Sequence, residues 1–220
     1  ATAHRLGQRA VFSPMPATEG VGNGVHIHLS LHDAAGAPVT HDPDQRMGLS
    51  RAAQRFCAGV LDHLPAICAV TAPSPVSYLR LTPNRWAPTV IDIQQQDRGA
   101  ALRVCPVFAA AGAAETARQF NLEFRVADAA ASPYLALGAV VFAGADGLRR
   151  GLSLPAPGSA TATLPRTLPQ ALDRLAASAA APQWFGPVFL DAYLRHKRAE
   201  AEKVAALSPE ELCARYAEVY

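Results

Sequence analysis

Two histidines two positions apart, His26 and His28, lie in the stretch GNGVHIHLSL at 22–31, alternating with Val25, Ile27 and Leu29. Strict alternation is the pattern of a β-strand, in which residues i and i+2 project from one face. His26, His28 and Ser30 then share a polar face, and the apolar three share the packed one. Imidazole is the commonest metal ligand among side chains, so such a face could hold a metal. Two other stretches read the same way. In NLEFRVAD (121–128), Asn121, Glu123 and Arg125 alternate with Leu122, Phe124 and Val126; in ALRVCPV (101–107), Arg103 lies between Leu102 and Val104. Arg98 precedes it in the turn QDRGA, and Arg80 lies upstream in SYLRLTP. On one sheet these strands would present two imidazoles, a carboxylate and a surplus of guanidiniums. That chemistry suits a metal-bound polyphosphate, because the metal takes oxygen and nitrogen ligands while Arg forks grip phosphate oxygens. Each piece also has a plainer reading: an incidental H-x-H pair, a Glu123–Arg125 cross-strand ion pair, surface arginines. Residue types and spacing stop at a phosphate-and-metal site and name no reaction.

The elements that must position these groups come in a definite order. Apolar spacing in SRAAQRFCAGVLDHL predicts a helix over 50–64, stopped by Pro65. VIDIQQQ (90–96), 101–107 and 121–128 alternate as strands. Ser132 and Pro133 open a helix that ends near Gly147 or Gly151. LSLPAPGSATATLP (152–165) reads as a surface excursion, and helices follow around 168–180, 187–206 and 209–219. The last opens on a capping box, Ser208 to Glu211. Strands early and helices late predict an α+β fold: an antiparallel β-sheet with a polar active-site face, backed by helices, and an all-helical C-terminal part. No Walker or Rossmann glycine loop is present.

Composition narrows the partners. The 220 residues, 50% hydrophobic, can bury one large core. A net charge of +2, with no Lys/Arg cluster interleaved with aromatics, argues against nucleic acid. The basic run at 195–198 sits in a Glu-rich helical pattern and reads as a solvated face. Cys57, Cys68, Cys105 and Cys213 form no C-x-x-C pair, which favours free thiols in a reducing compartment. No apolar run approaches the roughly 18 residues of a membrane span, and no signal-peptide pattern appears. The expectation is a cytoplasmic protein with no membrane partner.

The motifs together carry a resemblance. GNGVHIHLSL resembles the GSGMHxHxSL segment of the glutamine synthetase family, and SYLRLTPNRWAP resembles its SYxRLxPGxEAP. QDRGAALRVCP is similar to its NRSAxxRIP, and EFRVADAAASPYLALGAVVFAGADGL to its EFRxPDPxxNPYLxxAAxxxAGLDGI. They come in the family's order and at its spacings, and PQALDRLAAS and DAYLRHKRAEAE resemble its closing helices. The resemblance implies that residues 1–220 are the C-terminal portion of a glutamine-synthetase-like catalytic domain. The N-terminal β-grasp domain and the strands bearing further metal-ligand glutamates would lie upstream, so this segment alone is expected to be inactive. It implies an ATP-dependent ligase joining glutamate to ammonia or an amine through a γ-glutamyl phosphate, with Mg²⁺ or Mn²⁺, in a homo-oligomer of stacked rings. Carried over by position, His26 matches a ligand of the metal that engages the γ-phosphate and Glu123 a ligand of the other metal. His28, with Ser30 beside it, falls where the nucleotide phosphates are contacted. Arg80 matches a contact to the glutamate carboxylate, Arg98 and Arg103 phosphate contacts, and Arg125 the arginine near the transferred phosphoryl group. Gly22 and Gly24 would allow close backbone approach to substrate.

Three departures qualify this. Trp86 stands where ammonia-using members carry a glutamate that deprotonates ammonium; an indole can stack on a bulkier amine but does no acid–base work. Asn121 replaces a nucleotide-side arginine and Val21 a substrate-side asparagine. The 152–165 stretch has no tyrosine, so the adenylylation of some bacterial members is not expected. These departures leave a second reading, a catalytically degenerate homologue acting as a nucleotide-binding or scaffold module.

Overall fold

The computed structural model describes residues 2–107, 112–156 and 162–220. In chain order its elements are α1 (Thr2–Arg5), β1 (Ile27–Leu29), α2 (Arg51–Thr71), α3 (Ser77–Arg80), β2 (Val90–Gln94), β3 (Ala100–Val104), α4 (Ala113–Gln119), β4 (Leu122–Phe124), α5 (Pro133–Arg150), α6 (Leu168–Ala176), α7 (Ala181–Phe185), α8 (Pro187–Lys203) and α9 (Pro209–Ala217). The fold is α+β, with every named strand before residue 125 and the named elements from α5 onward all helices.

α2 is the spine. Ser50 caps it by accepting the Ala53 N–H at 3.1 Å. The helix does not stop at Pro65 as predicted but runs on to Thr71. Proline removes one helical hydrogen bond at a cost of about 3 kcal/mol. Every residue from Ala66 to Thr71 is buried, however, and that burial outweighs the loss. α5 packs closely on α2. A methyl on Gly59 would come within 2.3 Å of the Ala143 carbonyl oxygen, and one on Gly147 within 2.2 Å of that of Arg55. Gly147 is therefore a contact glycine inside α5, and the left-handed Gly151, at φ 64°, ends the helix. The expected capping box at α9 is present, with Ser208 and Glu211 each accepting the other's backbone N–H.

The sheet order is β1-β4-β3-β2. β4 runs antiparallel to β1 and β3, but β2 and β3 are parallel, so the sheet is mixed rather than wholly antiparallel. Parallel neighbours ordinarily need a long crossover. These strands are so short that residues 95–99 need only retrace about 13 Å, within the reach of an extended chain. Register aligns Ile27, Phe124, Leu102 and Ile93 across one face, which is buried towards α2. The 152–165 stretch is not wholly a surface excursion. Thr163 bridges to Val90 beside β2, and Leu164 is buried; residues 157–161 lie outside the described residues. All four cysteines are free and buried. Among the described residues no helix is long and apolar enough to cross a membrane.

Candidate functional site

The register that aligns the apolar row also aligns a polar row on the other face. His28 of β1 faces Glu123 of β4, which faces Arg103 of β3, which faces Gln94 of β2. His26, just before β1, and Arg125, just after β4, lie two residues from His28 and Glu123 and bring their side chains to the same carboxylate. Glu123 is the centre and is 1% exposed. Its Oε1 lies 2.7 Å from His26 Nδ1 and 3.7 Å from His28 Nε2. Its Oε2 lies 2.6 Å from Arg103 Nε and accepts from Arg125 Nη1 at 3.0 Å. One oxygen thus faces imidazoles and the other guanidiniums. Burial works against ionising Glu123, but the Arg125 hydrogen bond and the charges of Arg125, His26 and Arg103 outweigh it and hold the carboxyl below its usual range. Burial, then the Arg125 charge, pushes the His26 imidazole down, against the pull of Glu123. Its neutral form is the one that binds metals. The cluster keeps an excess of positive charge, which favours an anion.

A second group abuts the first. Arg80 is 2% exposed and donates through Nη2 to the carbonyl oxygens of Val126 and Ala127, with Asp128 Oδ2 at 3.9 Å. Gly22 and Gly24 are small because of this arginine. A methyl on Gly22 would sit 2.5 Å from Arg80 Cγ, and one on Gly24 2.9 Å from its Nη1. The glycine loop thus lies directly over the guanidinium. Burial raises Asp128 to about 6 in spite of Arg80.

Some expected residues stay apart. Arg98 is exposed in its turn, and Ser30 is exposed just beyond β1. Trp86 has its indole in solvent, 73% exposed, and reaches the cluster only through its carbonyl, 3.5 Å from Arg125 Nη2. Three further contributors were given no such role by the sequence. Asn121 Nδ2 donates to the Gln119 carbonyl, which turns Oδ1 towards His28 Nδ1 at 2.8 Å. Asp128 partners Arg80, and Arg85 ties two loops together. Asn121 and Asp128 left traces, the one on the alternating polar face and the other as the acidic end of the 121–128 stretch, and Arg85 left none.

As a test of metal fit, His26 and Glu123 offer one nitrogen and one oxygen. Two ligands of one ion at about 2.1 Å and right angles lie about 3 Å apart, against 2.7 Å here. The two atoms are in direct hydrogen-bond contact, at a separation close to that bite. Among the described residues no group of three or more His, Cys, Asp or Glu could hold a metal ion. A cavity of about 970 Å³ between α2, α6 and the Ala162–Arg166 segment shares no residue with this face.

A family model described as "Glutamine synthetase, catalytic domain" matches residues 1–215. The chain belongs to the glutamine synthetase family. It is 38% identical to a gamma-glutamylpolyamine synthetase of Streptomyces coelicolor, over 98% of this chain and 48% of that protein. It is 41% identical to a glutamine synthetase of Halobacterium salinarum, over 67% of this chain and 31% of that one. A solved structure titled "Crystal structure of novel glutamine synthase homolog" superposes with a TM-score of 0.90 at 44% identity, covering 99% of this chain and 50% of that chain. The chain spans about half the length, or less, of these glutamine synthetase relatives.

Proposed function

We propose that this chain forms the phosphate- and carboxylate-binding part of the active site of an ATP-dependent carboxylate–amine ligase. The observation that carries this reading is the 2.7 Å approach of His26 to Glu123 within an arginine-rich sheet face. In this reading a glutamate-like acid attacks the γ-phosphorus of ATP, ADP leaves, and a γ-glutamyl phosphate forms. The amine nitrogen then adds to the acyl carbon, the C–O bond to phosphate breaks, and the amine loses a proton. His26 and Glu123 would share one Mg²⁺ or Mn²⁺, rather than serving one metal each. Such an ion would supply charge neutralisation on the transferred phosphoryl group. Arg103 and Arg125 neutralise oxygens of that group, since phosphoryl transfer is mostly positioning and electrostatics. Arg98, exposed in its turn, is free to reach a bound nucleotide, and His28, held by Asn121, lines the same side with Ser30. Arg80, beneath Gly22 and Gly24, sets a positive charge under the loop where the acid substrate would lie.

The acceptor we infer is a bulkier amine than ammonia. Trp86 has no ionisable group to take the proton of ammonium, its indole is open to a larger ligand, and the relative at 38% identity is named for polyamines. The upstream half of the parent would complete the metal shell and take part in a ring-forming homo-oligomer. Free buried thiols and an ATP-consuming reaction fit the cytoplasm.

The test uses the full-length protein with ATP, Mg²⁺, glutamate and a panel of mono-, di- and polyamines. Phosphate release that depends on both glutamate and amine is the expected result. ATP binding without release under every condition would replace this reading with the degenerate one.

A further inference from the structure

The Trp86 turn cannot hold itself. Asn84 and Trp86 have φ of 66° and 54°, a region sparsely occupied by non-glycine residues and an outlier for one as bulky as tryptophan. The indole, 73% exposed, gains little packing from this chain. Such a backbone persists only where its surroundings over-determine it. Here the fixing contacts are few. Ala87 is buried on the C-terminal side, Arg125 Nη2 reaches the Trp86 carbonyl at 3.5 Å, and Arg85 makes the two short bonds. Its Nη1 donates to the Gly20 carbonyl and its Nη2 to that of Thr18, each at 2.6 Å. Those carbonyls belong to the segment that leads directly into Gly22, Gly24 and His26.

We propose that Arg85 is a positioning residue whose two-pronged grip on Thr18 and Gly20 ties the Trp86 turn to the glycine–histidine loop and holds the indole as a preformed platform for the acceptor amine. The inference rests on the ligase reading for its amine and deepens it. A guanidinium is suited to this because its donors form a rigid fork, whereas a lysine offers one compact ammonium on a flexible stem. With the grip in place, the amine side and the acid side of the site keep a fixed spacing, and little ordering is left to be done when the amine binds.

The experiment uses full-length protein carrying Trp184→Phe, which leaves Trp86 as the only tryptophan of this chain; any tryptophan in the upstream half is replaced as well. Two quantities are read for Arg85→Ala and Arg85→Lys: Trp86 fluorescence anisotropy without ligand, and KM for a diamine against KM for ATP. For Arg85→Ala the expected results are a fall in anisotropy and a rise of about tenfold in amine KM, with ATP KM within about twofold. Arg85→Lys should restore part of both. Unchanged anisotropy, unchanged amine KM, or an equal rise in both KM values overturns the proposal. If Arg85→Ala does not fold, Arg85→Lys decides by the same criteria. If the parent turns over no amine, the ligase reading fails and the anisotropy alone decides whether Arg85 holds the turn.

Discussion

Two ionic clusters among the described residues are built from the same kinds of side chain, a carboxylate with two guanidiniums and either two imidazoles, on the sheet, or one, between helices. On the sheet, Glu123 meets His26 at 2.7 Å, Arg103 at 2.6 Å and Arg125 at 3.0 Å. Between α2 and α5, Asp146 meets His63 at 2.8 Å, Arg150 at 3.0 Å and Arg149. What differs is where the open side lies. In the sheet cluster the arginines are buried or nearly so, at 18% and 3% exposure, and the imidazoles are open at 38% and 53%. In the helix cluster the imidazole is covered at 13%, edge-on to Trp184, while the arginines reach into solvent. Arg150 there also pairs with Asp62 at 2.8 Å, so its charge is shared with a second acid. The first arrangement leaves metal-binding nitrogens accessible over trapped positive charge. The second hides the nitrogen and lets water screen the charge. The same kinds of side chain leave an open polar face in one setting and make a helix clamp in the other.

Removing each carboxylate should separate the two most sharply. Glu123→Ala leaves Arg125 buried without its acid, a class of change that costs about 3–5 kcal/mol. It should lower the denaturation midpoint of the full-length protein markedly and abolish the metal dependence of nucleotide binding. A loss below about 1 kcal/mol, the size of a surface pair, would mean the face is wetter than its burial indicates. His26→Ala removes an exposed imidazole and should cost little stability. We expect it to weaken Mn²⁺–ATP binding about tenfold, or about 1.4 kcal/mol, by titration calorimetry, with metal-free ATP binding unchanged. Unaltered Mn²⁺–ATP affinity would remove His26 from the site.

The two clusters were not equally legible in the sequence. Alternation alone put His26 with His28 and Glu123 with Arg125, because a strand has a period of two whatever its neighbours do. It could not show that His28 faces Glu123 and Arg103, since register is set by turns and packing between distant strands. The same gap hid the parallel pairing of β2 and β3. α2 overran Pro65 because burial by the rest of the molecule outweighed a local breaker, and local patterns do not report burial. Arg85 acts on backbone carbonyls, which leave no mark on residue type at the accepting end. The resemblance supplied roles that spacing could not, but it was silent on Arg85, which falls at a variable position of its motif. It gave His26 and Glu123 roles at separate metals and did not anticipate their direct 2.7 Å contact.

The smallest expected effect belongs to the helix clamp. Burial opposes ionisation of Asp146, yet hydrogen bonds from His63, Arg150 and Arg149 dominate and lower its pKa from 3.8 to about 2. The folded value lies below the unfolded one. Its contribution to stability is therefore present above about pH 4 and is lost as pH falls through about 2. Because both arginines are largely solvated, the contribution should be near 1 kcal/mol rather than the full value the shift would give in isolation. Asp146→Asn should lower the urea midpoint slightly at pH 6. The gap to the parent protein should shrink between pH 4 and pH 2.5, while Mn²⁺–ATP affinity at pH 7 stays as it was. A gap that persists at pH 2.5 would assign the loss to packing between α2 and α5 instead of to charge. A change in nucleotide affinity would mean the two clusters communicate through α2, and the division between site and clamp would have to be redrawn.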